Sequence, residues 1–194
     1  MNSPVVRSAG KEDETVVVDV ITLAFSTDPV ARWANPNPAK YLAIMPQVIR
    51  AFGGNGFAYG SVDIADDGMG AAMWLPPGVE PDSERLGGLI SENTPEAILA
   101  DLMAVFEQMG SSHPEEPHWY LPLIGVDPAV HSRGIGSALL RHALERADAE
   151  GVPAYLESSN PRNIDLYERH GFKIIRTIQV GSSPPVAPML RRPQ

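Results

Sequence analysis

Residues Leu121 to Leu140 read LPLIGVDPAVHSRGIGSALL, an apolar run followed by a glycine-containing turn and the start of an amphipathic helix. The apolar residues up to Val126 predict a buried strand, and Asp127-Pro128 predicts a turn. The segment therefore predicts a strand, a loop and a helix in that order. The apolar residues of the predicted helix recur at helical spacing and are Ile135, Ala138, Leu139, Ala143 and Ala147.

The start of this helix has the features of a phosphate-binding site. A helix start carries unpaired backbone N–H groups and a partial positive charge, and glycines there let phosphate oxygens approach the main chain. Gly134 and Gly136 lie at that point. Ser137 adds a hydroxyl donor, and Arg133 adds a permanent cation. The alternative is a glycine-rich turn that only caps a core helix.

Two other phosphate loops are disfavoured by spacing. A dinucleotide-binding fingerprint needs a glycine or alanine three positions after Gly136, and Leu139 stands there. A P-loop needs a Gly-Lys-Ser/Thr triplet, which the sequence lacks.

A second informative segment, Tyr155 to Ile175, reads YLESSNPRNIDLYERHGFKII. An apolar strand runs into Asn160-Pro161, a preferred N-cap followed by a preferred first helical residue, and the helix is expected to end at Gly171. Asn163 and Tyr167 are four residues apart and therefore share one face of this helix. They predict an amide and a phenol that face one ligand, although a capping Asn and a half-buried Tyr would give the same pattern.

Together, the two segments resemble the GCN5-related N-acetyltransferase (GNAT) family, which transfers an acetyl group from acetyl-CoA to an amine. The family's pyrophosphate loop reads Gln/Arg-x-x-Gly-x-Gly/Ala, and residues 131–136 follow it except that His131 replaces the usual Gln or Arg. The family's second motif places an Asn seven residues before a Tyr, with Gly-Phe following; Asn160, Tyr167 and Gly171-Phe172 match it. The residues from Ala24 to Trp33 and from Met73 to Gly78 resemble the branch that contains puromycin N-acetyltransferase.

The resemblance implies an α/β fold of the α+β type, with a mixed, mostly antiparallel sheet flanked by helices. It implies that Tyr167 lies beside the CoA sulfur as the acid and that the backbone N–H of Val126 binds the thioester oxygen. Gly125 is expected to ease a bulge in that strand, which parts two strands to admit pantetheine. The residues expected to bind CoA are Ile124, Val126, His131, Ser132, Arg133, Gly134, Ile135, Gly136, Ser137, Asn160, Asn163 and Tyr167.

The general base is left open between two residues. Glu157 lies on the strand that precedes the Tyr167 helix, and His118 lies at the start of the central strand; each could act directly or through a water. Alternatively, Glu157 is only a carboxylate at a strand edge, and His118 is only a solvated loop residue. His113 to His118 contains metal-ligand residue types, but its two prolines predict an extended connector, and we expect no metal.

Composition restricts the remaining classes. The chain has 194 residues, no cysteine and a net charge of −9. The missing cysteines exclude a disulfide framework and a cysteine nucleophile, and the negative charge disfavours nucleic acid as a partner. No signal peptide or membrane-spanning run is evident, so we expect a cytoplasmic protein without membrane contact. The oligomeric state is open, a homodimer included.

The rest of the chain is expected to complete a single domain, 1–194, in which 76–116 is a helical insertion on the substrate side and 119–194 is the CoA-binding and catalytic core. Pro76 to Ser91 is expected to be irregular. The other expected elements are strands at Val5–Ser8, Phe57–Ile64, Gly70–Leu75, Phe172–Ile178 and Val186–Leu190, a hairpin at Asp66-Asp67-Gly68, and helices at Thr15–Phe25, at Ala39–Phe52 and after Thr94-Pro95.

The leading functional prediction is acetyl-CoA-dependent acetylation of a small-molecule amine. Two alternatives remain: a CoA-binding or sensing protein without turnover, and an enzyme that acetylates a protein or peptide amine.

Overall fold

The computed structural model describes residues 4–194, and their strands form one twisted sheet. The strand order is β1-β2-β3-β4-β5-β7-β6, and every neighbouring pair is antiparallel except β4 and β5. This confirms the predicted mixed, mostly antiparallel sheet. The strands are β1 Val6–Ser8, β2 Val62–Ala65, β3 Gly70–Leu75, β4 Trp119–Val126, β5 Ala154–Ser158, β6 Lys173–Ile174 and β7 Ala187–Arg191.

Helices cover both faces of the sheet, as predicted. On one face α6 buries Leu139 and Leu140, and on the other α1 and α3 bury Ile21 and Ile49. No helix within residues 4–194 is both long and apolar enough to cross a membrane. The helices are α1 Glu14–Ala24, α2 Pro29–Ala34, α3 Pro38–Gly53, α4 Ser83–Asn93, α5 Glu96–Gly110, α6 Ile135–Glu150 and α7 Ile164–Arg169.

Two predicted strands are wrong in extent. Phe57–Ile64 is not a continuous strand, because Gly54–Tyr59 forms a 3₁₀ helix and β2 begins only at Val62. Phe172–Ile178 keeps strand pairing at Lys173–Ile174 and again only as a bridge between Ile178 and Val186. There Ile175 donates its N–H to the carbonyl of Pro188, and proline has no N–H to donate in return.

The stretch predicted as irregular, Pro76 to Ser91, contains most of α4. The side chain of Asp82 caps this helix by accepting the N–H of Arg85. Two consecutive glycines, Gly87 and Gly88, lower helix propensity and concealed the helix in the sequence. The burial of Leu86 and Ile90 against α5 and α3 stabilises it instead.

Strands β4 and β5 pair only at their beginnings. The parallel register runs from Trp119 with Ala154 to Leu121 with Leu156, after which β4 continues to Val126 without this partner. The register between β3 and β4 gains one residue on β4 near Leu121 and Pro122. Because proline cannot donate a ladder hydrogen bond, β4 is irregular at the point where the two strands part.

The predicted role of Gly125 in that bulge is therefore wrong, since the irregularity lies three to four residues earlier. Gly125 instead allows α1 to approach the sheet closely. A Cβ atom at this position would lie 2.7 Å from the Cβ of Ala24 and 3.2 Å from the Cα of Ile21. Any larger residue would push α1 away from β4.

The end of β4 presents backbone groups to this opening. Asp127 donates its N–H to the carbonyl of Met69, on the β3 side, at 2.9 Å. Backbone groups of successive strand residues point to opposite sides. The N–H of Val126 therefore points away from β3, toward the space that β5 has left.

Candidate active site

One cavity of about 730 Å³ joins the opening between β4 and β5 to the start of α6 and to the helices α2 to α5. All but one of the twelve expected CoA-binding residues line it. The exception is Arg133, which is exposed beside the loop. Of the expected catalytic residues, Tyr167 and Glu157 line this cavity and His118 does not. The lining CoA-binding residues are Ile124, Val126, His131, Ser132, Gly134, Ile135, Gly136, Ser137, Asn160, Asn163 and Tyr167.

The N-terminus of α6 forms one end of the cavity. Its first main-chain hydrogen bond runs from the N–H of Ala138 to the carbonyl of Gly134, at 2.9 Å. Within residues 4–194, the N–H groups of residues 135–137 have no main-chain partner. Gly134 is the N-cap in a left-handed conformation, with φ of 82°, and Ser132 has φ of 65°. The loop thus directs several free N–H groups into the cavity, as an anion site requires.

Two polar side chains of this loop already have partners. Nε2 of His131 lies 3.2 Å from the carbonyl oxygen of Val126 and so bridges the loop to the end of β4. The hydroxyl of Ser137 lies 2.7 Å from Nε2 of His170 and accepts a hydrogen bond from Arg141 at 3.0 Å. Residues 131–137, which we term the cradle, therefore present mainly main-chain groups to the cavity, and these side chains hold the shape of the loop.

Tyr167, on α7, lines the larger cavity. Only 5% of the residue is exposed, and its hydroxyl has no hydrogen-bond partner among the described residues. Burial, together with the nearby charge of Asp28, raises the pKa of the Tyr167 hydroxyl well above its usual range. Tyr167 therefore keeps its proton at physiological pH and can donate it into the cavity.

Asn160 and Asn163 surround the start of the helical segment that carries Tyr167. The Asn160 side chain accepts the N–H of Arg162 at 3.1 Å and caps a 3₁₀ turn, Pro161–Asn163, that leads into α7. The predicted cap is thus present, although the first turn is 3₁₀ and α7 itself begins at Ile164.

Glu157 lies on β5, one residue beyond the last pair between β4 and β5. Its side chain is 3% exposed and has two buried phenols beside it. Burial and the negative charge of Glu157 raise the pKa values of Tyr120 and Tyr155 well above the usual range. Both phenols consequently stay protonated next to the carboxylate.

His113 connects the two residues that the sequence offered as alternative bases. Its Nε2 lies 3.2 Å from Oε1 of Glu157, an ion-pair distance without the angle of a hydrogen bond. Its Nδ1 lies 3.0 Å from Nε2 of His118, whose Nδ1 lies 2.8 Å from the carbonyl oxygen of Glu116. Glu157, His113 and His118 thus form a continuous chain, which we term the Glu-His-His chain.

The sequence did not identify His113 as a site residue, and the expectation of an extended connector over residues 113–118 is wrong. The segment bends so that the two imidazole rings lie 5.2 Å apart, centroid to centroid. His113 also packs edge-on against Tyr120, at 4.6 Å. The available signal was a pair of histidines five residues apart with prolines between them. Because prolines are also common in turns, this pattern could have predicted a bend that brings the two rings together.

A second cavity, of about 450 Å³, lies at the other end of the Glu-His-His chain. His113 and His118 line it together with Pro76 to Glu80 and the acidic residues Glu115 and Glu116. Glu157 lines only the larger cavity. The chain of three side chains therefore spans the wall between the two cavities.

Comparisons with known proteins agree with this geometry. Residues 78–172 match the family model described as "Acetyltransferase (GNAT) family". The chain is 25% identical to an uncharacterized N-acetyltransferase of Schizosaccharomyces pombe, over 88% of this chain and 76% of the relative. It is 34% identical to a mycothiol acetyltransferase of Propionibacterium freudenreichii, over 35% of this chain but only 22% of that enzyme.

A solved structure shares the whole fold. It is described as "histone acetyltransferase HPA2 and related acetyltransferase" from Corynebacterium glutamicum. The TM-score is 0.69 and the sequence identity 28%, over 100% of this chain and 98% of that one.

Proposed function

Because this chain belongs to the GNAT family of acetyltransferases, which use acetyl-CoA, we propose that it transfers the acetyl group to the primary amine of a small molecule. The observation that carries the proposal is the continuity of the larger cavity. The same space is lined by the free N–H groups of α6, by Tyr167 and by Glu157. A phosphate-bearing donor and an amine can therefore occupy one site with an acid and a base beside them.

We propose that the cradle holds the CoA pyrophosphate through the N–H groups of residues 135–137. Pantetheine then follows the opening between β4 and β5, where the N–H of Val126 points. This places the thioester near Val126 and Tyr167. The Val126 N–H donates a hydrogen bond to the carbonyl oxygen, which stabilises the negative charge that develops there during attack.

An ammonium substrate must lose two protons during the reaction. One leaves before attack, because only the neutral amine is nucleophilic. The amine nitrogen then attacks the acetyl carbon, a C–N bond forms and the C–S bond breaks. Tyr167 gives its proton to the leaving thiolate, and the second proton of the nitrogen returns the Tyr167 phenolate to the neutral phenol. The products are the acetamide, the CoA thiol and one proton released to solvent.

The Glu-His-His chain is suited to removing the first proton. A carbonyl oxygen only accepts hydrogen bonds, so Nδ1 of His118 must carry a proton toward Glu116. One further proton must lie between His118 and His113 for their contact to be a hydrogen bond. The contact between His113 and Glu157 then pairs an N–H of His113 with a carboxylate, with either histidine as the imidazolium, or pairs a protonated Glu157 with a neutral ring.

Every arrangement that favours all three contacts therefore holds one mobile proton, shared among Glu157, His113 and His118. We propose that Glu157 is the base that faces the amine. The histidines carry the proton onward to the second cavity, where His118 exchanges it with water. This assigns different steps to Glu157 and His118, which the sequence presented as rivals.

The direct test is thiol release from acetyl-CoA, measured against small amines, polyamines and basic peptides. Release that depends on a small amine, with the acetamide identified by mass spectrometry, supports the proposal. Acetyl-CoA binding without release on any acceptor would indicate a CoA-binding or sensing protein. Release only with peptides would indicate a protein acetyltransferase. A cytoplasmic location and the single-domain division, with residues 76–116 over the acceptor side, stay predictions.

A further inference from the structure

The inference concerns the acceptor and rests on the proposed function. Beyond Tyr167 and Glu157, the larger cavity continues between α2, α3, α4 and α5, and we term this part the helical chamber. Its wall is apolar. The side chains that define it include Val48 and Phe52 of α3, Leu89 and Ile90 of α4, and Leu102 and Phe106 of α5.

Charge is scarce around the helical chamber. Among the described residues that line the larger cavity, the only carboxylates are Asp28 and Glu157. The cationic or titratable bases that line it are His131, in the loop before α6, Arg162, in the turn before α7, and Arg169, at the end of α7. The helices α3, α4 and α5 contribute no charged side chain to the lining. A charged group that enters this chamber would lose its hydration and meet only neutral acceptors, such as Oδ1 of Asn35, which has no partner among the described residues.

The carboxylate of Asp28 already has hydrogen-bond partners within the protein. Its Oδ1 accepts the N–H groups of Val30 and Ala31, each at 3.0 Å, and its Oδ2 accepts the hydroxyl of Ser159 at 2.7 Å. It is 5% exposed, and burial raises the pKa of its carboxyl above the usual range. Asp28 therefore caps α2 and ties it to the end of β5. Glu157 is the remaining carboxylate that can pair with an ammonium group.

From this distribution of charge we infer that the acceptor is an amine with one positive charge and an apolar body, such as an alkyl- or arylalkylamine. Its ammonium group lies at Glu157, and its hydrocarbon part fills the helical chamber. A polyamine or a lysine-rich peptide would place a second cation against apolar side chains. The chamber thus selects against acceptors with more than one charge, and α4 and α5 are the elements that make the selection.

Two amines with the same number of heavy atoms test the inference. Heptylamine and 1,6-diaminohexane differ only in whether the far end is a methyl or an ammonium group. We expect heptylamine to bind the protein–CoA complex at least about 100-fold more tightly in a calorimetric titration, because the second ammonium would be buried without a counter-ion. Among linear monoamines, affinity should rise about fourfold for each added CH₂ until the chamber is full.

A carboxylate added to the chamber should reverse this preference. Leu89 is half-buried on α4. Leu89→Glu should weaken the binding of heptylamine and strengthen the binding of 1,6-diaminohexane. Leu42→Glu is the matched control, because Leu42 is 62% exposed and outside the cavity lining. Melting curves check that each variant is folded, and Met109→Glu on α5 serves as the second variant if Leu89→Glu is not.

The outcomes separate this inference from the proposed function. Equal or tighter binding of the diamine by the parent protein, or binding of neither amine, overturns the inference. Turnover of polyamines or peptides but not of heptylamine overturns it while leaving acetyl transfer intact. Selective binding of heptylamine with no thiol release upholds the chamber's selectivity and overturns the proposed turnover of small amines.

Discussion

Nε2 of His113 lies 3.2 Å from Oε1 of Glu157, across the wall that separates two cavities. His113 ends the turn that follows α5, and Glu157 lies on β5, 44 positions later in the chain. Because His113 also contacts His118, a carboxylate in the larger cavity is connected to an imidazole in the second cavity. For the proposed reaction, this connection offers the amine proton a route that does not pass through the substrate site.

Glu157→Gln tests the base. Glutamine keeps the size of the side chain but loses its basicity, so kcat/KM should fall by about 10²- to 10⁴-fold near neutral pH, where the amine arrives protonated. The loss should shrink at high pH, because the amine then arrives neutral. Rate measured against pH checks this, with Glu145→Gln on the exposed side of α6 as the control. An unchanged pH profile in Glu157→Gln would remove Glu157 as the base.

A double-mutant cycle tests the histidine route. If His113 acts only by passing on the proton of Glu157, then His113→Ala should lower the rate of the parent but not that of Glu157→Gln. His118→Ala should shift the acidic limb of the pH profile, and added imidazole should restore part of the rate. His142→Ala, on the far side of the sheet near Asp63, is the control. Additive losses in the cycle would contradict the route.

Tyr167→Phe tests the acid. The change removes one hydroxyl and keeps the buried ring, so turnover should fall by about 10²- to 10⁴-fold while CoA affinity stays nearly constant. Steady-state kinetics and calorimetry measure the two quantities. Tyr59→Phe is the matched control, because Tyr59 is 60% exposed and outside the cavity lining. Equal turnover in Tyr167→Phe and the parent would end the assignment.

Gly134→Ala tests the cradle. Acetyl-CoA at about 100 times its dissociation constant should stabilise the parent by roughly 2.7 kcal/mol. At φ of 82°, an alanine is strained by about 1 to 2 kcal/mol. A backbone shift that relieves this strain would rotate the N–H groups of residues 135–137 away from the CoA pyrophosphate. We expect acetyl-CoA affinity to fall about tenfold. Gly87→Ala, which has free space in α4, should leave affinity unchanged.

Asp148→Asn tests the ion pair that joins α6 to β7. Both Asp148 oxygens accept hydrogen bonds from Arg191, at 2.7 Å, and this contact lowers the pKa of the Asp148 carboxyl. Removing the charge leaves buried Arg191 without its counter-ion, so the free energy of unfolding should drop by about 3 kcal/mol at pH 7.

The sign of the pH effect follows from the lowered pKa. The stabilisation by the pair of Asp148 and Arg191 is complete above the unfolded-state pKa of the Asp148 carboxyl, near 3.9. It is lost as pH falls through the lower pKa of this carboxyl in the folded state. Urea denaturation of parent and Asp148→Asn should therefore converge at acidic pH. Asp19→Asn, exposed on α1, should show no such convergence, and a constant difference between parent and Asp148→Asn would refute the linkage.

The elements with strong local signals could be predicted from the sequence. β4, α6 and the hairpin between β2 and β3 carry alternating or helical apolar patterns with turn residues between them, and the structure places them as expected. α4 was not predicted, because Gly87 and Gly88 have low helix propensity and its stability comes from packing against α3 and α5. The strand at 172–178 was overextended, because its partner β7 contains Pro188.

The sequence by itself determined the family resemblance, the mixed sheet and the position of the glycine-containing loop before α6, since those depend on residues close together in the chain. Only the tertiary structure decided the relationship between Glu157, His113 and His118, because their contacts form when the turn after α5 packs against the start of β4 and the end of β5. The tertiary structure also decided that few charged side chains line the helical chamber, because α2, α3, α4 and α5 come from separate segments of the chain to enclose it. Local periodicity records which face of each element is buried, but not which side chains of distant elements meet there.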